Sequence, residues 1–210
     1  MKLKNYADWD AIEYPQCSHG QHQSPVDLTD VAIGTASCLT FTYKPTALTQ
    51  AKNPKALEYG GPTGHIRFEG ERYPLLQFHI HHPAEHRING RCFAMELHLV
   101  HYTPERGFVV VAVMIAPGKS PHPAYEQLLN AQHTSTLACF DPAALLPAST
   151  AYYSYDGSLT TPPCTENVHW VVLAEPVYIT PQQLNAFGAS FTGNNRPIQA
   201  LNGRVIQHHR

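Results

Sequence analysis

Hydrophobic and polar positions alternate in short runs along most of the chain, and Pro and Gly bound the runs. Leu39–Tyr43, His65–Glu69, Leu75–His81, Phe93–His101, Phe108–Ile115 and His169–Leu173 each read as a strand, by a side-chain period of two or by a β-branched run of strand length. Tyr59-Gly60-Gly61-Pro62 and Ala116-Pro117-Gly118-Lys119 are typical of the breaks between them. Helical periodicity is confined to short stretches such as Ala124–Ala131 and Pro181–Phe187. The second of these has Thr180 placed to cap its N-terminus and Pro181 at the first helical position. The pattern predicts a sheet-dominated chain with peripheral helices, and no repeat or shift in composition divides residues 1–210 into more than one domain.

Composition narrows the picture. Apolar residues make up 43% and charged residues 14% of the 210, too hydrophobic for disorder, and no apolar run is long enough to span a bilayer. A formal charge of -2 with no basic stripe argues against nucleic acid or an anionic membrane as the main partner, and a small neutral or weakly anionic substrate fits better. The 14 histidines exceed what packing needs and direct attention to metal binding. Five cysteines are an odd number, so at least one thiol stays unpaired. The first ten residues lack the apolar segment of a signal peptide, which leaves a cytosolic chain or a processed one as the two expectations.

The sharpest chemical signal is Gln77-Phe78-His79-Ile80-His81 followed by Glu96-Leu97-His98-Leu99-Val100-His101, two strand-like segments joined by a loop containing Asn89-Gly90. Side chains at i and i+2 share a face, so Gln77, His79 and His81 form one row and Glu96, His98 and Val100 another. Paired antiparallel, these rows let three imidazoles converge on one cation. Three neutral nitrogens leave a fourth tetrahedral position open, the mark of a catalytic rather than a structural zinc. Gln77 and Glu96 are placed to accept from the remaining ring nitrogens. His82 and His86 fall in the connecting loop and His101 on the opposite face, so none of them is expected to ligate.

With these residues in view the chain resembles the α-class carbonic anhydrases, and their bacterial branch most. The resemblance rests on Gln23-Ser24-Pro25-Val26-Asp27, the two histidine segments, Ala84-Glu85-His86, Tyr155-Asp156-Gly157-Ser158-Leu159-Thr160-Thr161-Pro162-Pro163-Cys164 and Asn195-Arg196-Pro197-Ile198-Gln199, in order from about Trp9 to Arg204. It implies a large twisted, mostly antiparallel sheet with a conical active-site cavity. It also implies reversible hydration of carbon dioxide to bicarbonate and a proton by zinc-activated hydroxide, with side esterase activity and inhibition by anions or sulfonamides.

Carried over by position, the resemblance assigns His79, His81 and His98 to zinc, with Gln77, Glu96 and the Asn194 carbonyl orienting them. Thr160 is the hydroxyl that aligns the nucleophile and Glu85 the carboxylate that takes its proton. Val100, Val113, Leu159, Thr161, Val168 and Trp170 form the substrate pocket. A Cys17–Cys164 disulfide is implied, tethering the Thr160 loop and pointing to a periplasmic or secreted protein, while Cys38, Cys92 and Cys139 stay unassigned. A homodimer is compatible with the family.

Departures from the family pattern are His82 and Ala84 after the second ligand, and Tyr6, too close to Trp9 to be the usual active-site tyrosine. Lys55, in Lys52-Asn53-Pro54-Lys55, occupies the position of the proton-accepting histidine. A lysine with a pKa near 10.4 is already protonated at neutral pH and cannot accept that proton. His65, the nearest alternative, falls on a later strand.

Overall fold

The computed structural model of the protein describes residues 13–29, 31–34, 39–51, 57–61, 63–132, 136–191 and 193–210. One long sheet organises these residues. It runs from Thr136–Phe140 at one edge through Thr46–Gln50, Leu57–Gly60, Glu71–His81, Met95–Thr103, Gly107–Pro117, Glu166–Leu173, Tyr152–Ser158 and Gln207–His209 to Ala32–Ile33. Thr40–Lys44 and Thr63–Phe68 pair in turn onto the first half of Glu71–His81, so that strand carries two neighbours in succession on one side. Pairing is mostly antiparallel, as expected. At the centre, however, Gly107–Pro117 lies parallel to both Glu166–Leu173 and Val177–Ile179. A parallel pair needs a long crossover, which the chain supplies between Pro117 and Glu166.

Both predicted helices form. They are α2 (Pro123–Ala131) and α3 (Pro181–Ser190), preceded by one short N-terminal turn, α1 (Pro15–His19). The Thr180 hydroxyl accepts from Gln183 N at 3.3 Å and Gln183 Oε1 accepts from Thr180 N at 3.2 Å, a reciprocal capping box that satisfies the first-turn donors. Gln183 Nε2 also donates to His122 O and to Glu126 Oε2, which ties α3 to α2.

At its centre the sheet is covered on both faces. The larger core contains Tyr59, Tyr73, Leu75, Phe78, Ile80, Leu97, Leu99, Val109, Val111 and Val113, and the smaller one contains Val100, Val110, Ala112, Val168 and Trp170. Burial on both sides explains why Gly107–Pro117 reads as a nearly unbroken apolar run. In Glu71–His81 the parity changes partway. Leu75 pairs with His101 but Gln77 with Val100, so Leu76 is an extra, bulged residue, 46% exposed. The bulge keeps Tyr73 and Leu75 on the same core as Phe78 and Ile80, and turns Gln77, His79 and His81 to the other side.

Candidate metal centre and active site

The two histidine segments pair antiparallel in the expected register, with His79 opposite His98 and His81 opposite Glu96. The three imidazoles meet, with ring centroids at 4.9 Å (His79–His81), 5.2 Å (His79–His98) and 4.6 Å (His81–His98), and one nitrogen from each lies within 4.8 Å of the others. Each ring is held from behind by its other nitrogen. His79 Nδ1 donates to Gln77 Oε1 at 2.9 Å, His81 Nδ1 to the Asn194 carbonyl at 2.8 Å and His98 Nε2 to Glu96 Oε1 at 2.7 Å. These bonds fix the tautomers and leave His79 Nε2, His81 Nε2 and His98 Nδ1 facing one another. His81 Nε2 is buried and has no hydrogen-bond partner, an orphaned acceptor that a cation would satisfy. Burial lowers the pKa of all three rings, and for His79 the neighbouring His81 and His98 lower it further, so they stay neutral, the form that ligates a metal.

Behind the histidines Glu96 is fully buried and saturated. Its Oε1 accepts from His98 Nε2 and His86 Nδ1, both at 2.7 Å, and its Oε2 accepts from the backbone N–H groups of Glu85 and His86, both at 2.8 Å. Burial opposes ionisation of this carboxyl, but His86 and His98 outweigh it and hold the group well below the usual carboxylate range. His86, expected in a loop, is 1% exposed and links Glu96 to the Tyr155 hydroxyl at 2.6 Å, which in turn donates to Ser24 Oγ at 2.9 Å. His86, Glu96 and His98 also cluster closely enough to hold a cation, but there the contacting nitrogens and the carboxylate are already spent on one another.

Thr160 and Glu85 are both buried. Glu85 Oε1 accepts from the Arg196 backbone N–H at 2.7 Å, and Oε2 has no partner of its own. Burial raises its pKa to about 7 against the lowering effects of His98, Arg196 N–H and the Thr160 side chain. The Thr160 loop is held by Leu159 N to Thr165 O at 2.9 Å and by the Cys17–Cys164 disulfide, with Cα atoms 5.1 Å apart. Arg196 Nη2 donates to the Cys17 carbonyl at 2.8 Å and Gln23 Nε2 to the Cys164 carbonyl at 3.1 Å, so the bridge is also embedded in polar contacts.

Val100, Val168 and Trp170 lie on the histidine face, Leu159 packs against the same cluster, and Thr161 is exposed beside Thr160. Val113 does not join them. It pairs with Leu97 and sits in the core on the opposite face, while Val110, paired with Val100, fills the place on the site side. Lys55, Tyr6, Trp9 and Cys38 lie outside the described residues, and Cys92 and Cys139 are free and exposed.

The family profile of the eukaryotic-type carbonic anhydrases matches residues 4–210. The chain belongs to the α-carbonic anhydrase family. The carbonic anhydrase of Nostoc sp. is 35% identical over 207 residues, 92% of this chain and 78% of that one. The carbonic anhydrase of Neisseria gonorrhoeae is 36% identical over 208 residues, 92% of this chain and 80% of that one. Among solved structures, the Photobacterium profundum α-carbonic anhydrase superposes with a TM-score of 0.88 at 30% identity, covering 96% of this chain and 95% of that one. The α-carbonic anhydrase of Thermovibrio ammonificans, in complex with sulfanilamide, does so at 0.84 and 34%, covering 93% and 91%. As a carbonic anhydrase the chain is a lyase, and the family implies carbon dioxide hydration.

Within this carbonic anhydrase, sequence periodicity finds the ligand rows but not the groups that reach them from distant segments. Asn194 and Arg196 arrive from the C-terminal loop, and nothing in their local sequence indicates that their backbone atoms serve His81 and Glu85. His86 carries no periodic signal either, because it lies outside the strands.

Proposed function

We propose that this carbonic anhydrase works with zinc held by His79 Nε2, His81 Nε2 and His98 Nδ1, and that carbon dioxide is hydrated there to bicarbonate and a proton. The observation that carries this reading is the convergence of three neutral, individually anchored imidazoles around an orphaned buried nitrogen. Zinc bound to three nitrogens supplies Lewis acidity that makes water nucleophilic near neutral pH, a property established for carbonic anhydrases themselves.

The protein's own residues do the rest. Glu85, fixed by the Arg196 N–H at 2.7 Å, accepts a hydrogen bond from the Thr160 hydroxyl, which leaves the Thr160 oxygen able only to accept from the attacking group. That constraint aims the nucleophile's lone pair across the site. Val100, Val110, Val168, Trp170 and Leu159 present an apolar wall that receives an uncharged linear substrate and excludes competing water. Thr161, exposed next to Thr160, borders the same pocket. Slow hydrolysis of activated esters follows as a side reaction of the same site, and sulfonamide binding is supported by the sulfanilamide complex of the Thermovibrio ammonificans neighbour. The Cys17–Cys164 bridge supports an oxidising compartment, periplasmic or secreted.

His98→Ala tests the assignment. The variant, shown native-like by circular dichroism, is expected to retain little zinc by atomic absorption and almost no hydration activity by stopped flow. Zinc content equal to wild type removes His98 from the ligand set.

A further inference from the structure

Lys44, His65, Arg67 and Arg72 come from three strands, yet the pairing gathers them on one face. The register of Thr40–Lys44, Thr63–Phe68 and Glu71–His81 places Thr40, Arg67 and Arg72 in one row, Thr42, His65 and Pro74 in the next, and Lys44 opposite Thr63. The alternate side chains, among them Ile66, Phe68, Tyr73 and Leu75, pack into the larger core, so this row of faces points away from it. Lys44, Arg67, Arg72 and the three threonines are exposed. The bulged Leu76, on the same side as Arg72 and Pro74, is 46% exposed.

Among the described residues no acidic residue stands in these rows; Glu58, on the same side of the sheet, is opposite His79, further along the Glu71–His81 strand. Glu69 and Glu71 belong to the adjoining turn and point the other way: Glu71 is paired with Arg106 at 2.7 Å, and Glu69 lines a cleft with Arg106 and His169. Among the described residues Lys44, Arg67 and Arg72 have no carboxylate partner, and Arg67 donates to the Gly70 carbonyl at 3.2 Å. Burial first, then repulsion from Arg72, Arg67 and Lys44, lowers the pKa of His65, so the four groups share one field. Arg67 and Arg72 stand directly opposite each other across the strand pair, an arrangement that costs stability unless something neutralises it. The chain has more acidic than basic residues, 16 against 14, so carboxylates for pairing are not scarce.

We propose that this face docks on an anionic phospholipid surface. The cations form a two-dimensional grid, with strands about 4.8 Å apart and same-face positions about 7 Å apart, which suits a planar array of headgroups better than a single extended polyanion. Thr40, Thr42 and Thr63 add hydroxyl donors for phosphate oxygens, and Leu76 supplies an apolar side chain for the headgroup boundary. The chain has no basic run, and for that reason the sequence argues against such a partner. Strand register alone assembles the patch.

The test is co-sedimentation of the full chain with phosphatidylcholine vesicles, with and without roughly one-third phosphatidylglycerol, at low and physiological salt. Wild type binds the anionic vesicles, and raising the salt releases it. Arg67→Gln with Arg72→Gln weakens binding roughly 25-fold, from about fivefold for each cation removed near a charged bilayer. The double variant keeps its hydration rate, and its melting temperature is unchanged or higher because a like-charged pair is gone. Equal partition of wild type onto neutral and anionic vesicles, or equal binding by the variant, overturns the proposal. Retention on a sulfated polysaccharide or an acidic protein without vesicle binding overturns it too.

Discussion

Replacing Cys17 and Cys164 together by serine separates what the disulfide does for stability from what it does for the site. The bridge spans 147 residues of sequence, and in the chain-entropy model a loop that long restricts the unfolded chain by about 5 kcal/mol. For a protein of this size that corresponds to a melting temperature lower by roughly 10–20 °C. The native contacts around the bridge involve main-chain atoms that serine retains: the Cys17 carbonyl still accepts from Arg196 Nη2 and the Cys164 carbonyl from Gln23 Nε2. The loop also keeps Leu159 N to Thr165 O and Trp170 Nε1 to Ser158 O at 3.0 Å. The expected result is therefore a large loss in urea and thermal unfolding with hydration at 25 °C, where the variant is folded, within about twofold of wild type. A stability loss under about 1 kcal/mol would refute the entropic account. Activity lost from a demonstrably folded variant would show instead that the bridge itself positions Thr160.

If Thr160 has the proposed role, Thr160→Ala should bind zinc as wild type does and slow hydration by roughly a hundredfold; loss of metal would make Thr160 structural. If Lys55 stands where the family often places a histidine, proton release to water from an acid of pKa about 7 should limit turnover to roughly 10³ s⁻¹. Added imidazole at fixed pH and ionic strength should raise the rate, as should Lys55→His, and a fast, buffer-insensitive turnover would assign the proton to another group. His101 is a buried core histidine: Nδ1 donates to the Val109 carbonyl at 3.2 Å, Nε2 accepts from the Tyr43 hydroxyl at 2.9 Å, and burial pushes its pKa down to about 3. Below pH 6.5 the unfolded chain takes up a proton that folded His101 refuses, so stability is full above that pH and drains away toward pH 3. At pH 5 the loss from this one group is about 2 kcal/mol. The stability gap between wild type and His101→Gln should narrow by that amount from pH 7.5 to pH 5 in urea titrations; a gap independent of pH would contradict the buried neutral ring.

The ligand strands are legible in sequence because each has only one plausible buried face: Phe78 and Ile80, like Leu97 and Leu99, alternate with polar side chains, so parity assigns the histidines to the other side. The Val109–Ile115 run offers no such contrast. Every residue in it is apolar because both faces are covered, and only pairing with the Met95–Thr103 strand decides that Val110, not Val113, shares the histidine face. The strands Thr46–Gln50, Leu57–Gly60 and Tyr152–Ser158 escape periodicity analysis because they are short or interrupted by Gly and polar residues. The parallel pairing of Gly107–Pro117 with Glu166–Leu173 is a product of topology that no local pattern encodes.

The bulge at Leu76 makes the Glu71–His81 strand behave like a reading frame. Upstream of it odd-numbered side chains enter the larger core, and downstream even-numbered ones do. Leu76 is the one residue in excess of its partners on Met95–Thr103, so deleting it would join Leu75, opposite His101, directly to Gln77, opposite Val100, in an unbroken alternation. Tyr73, Leu75, Phe78 and Ile80 would still enter the larger core with Gln77, His79 and His81 on the other side, whereas deleting Ile80 would turn His81 inward. A relative whose matching strand lacks this one residue can therefore present the same histidine row and the same core from a regular strand.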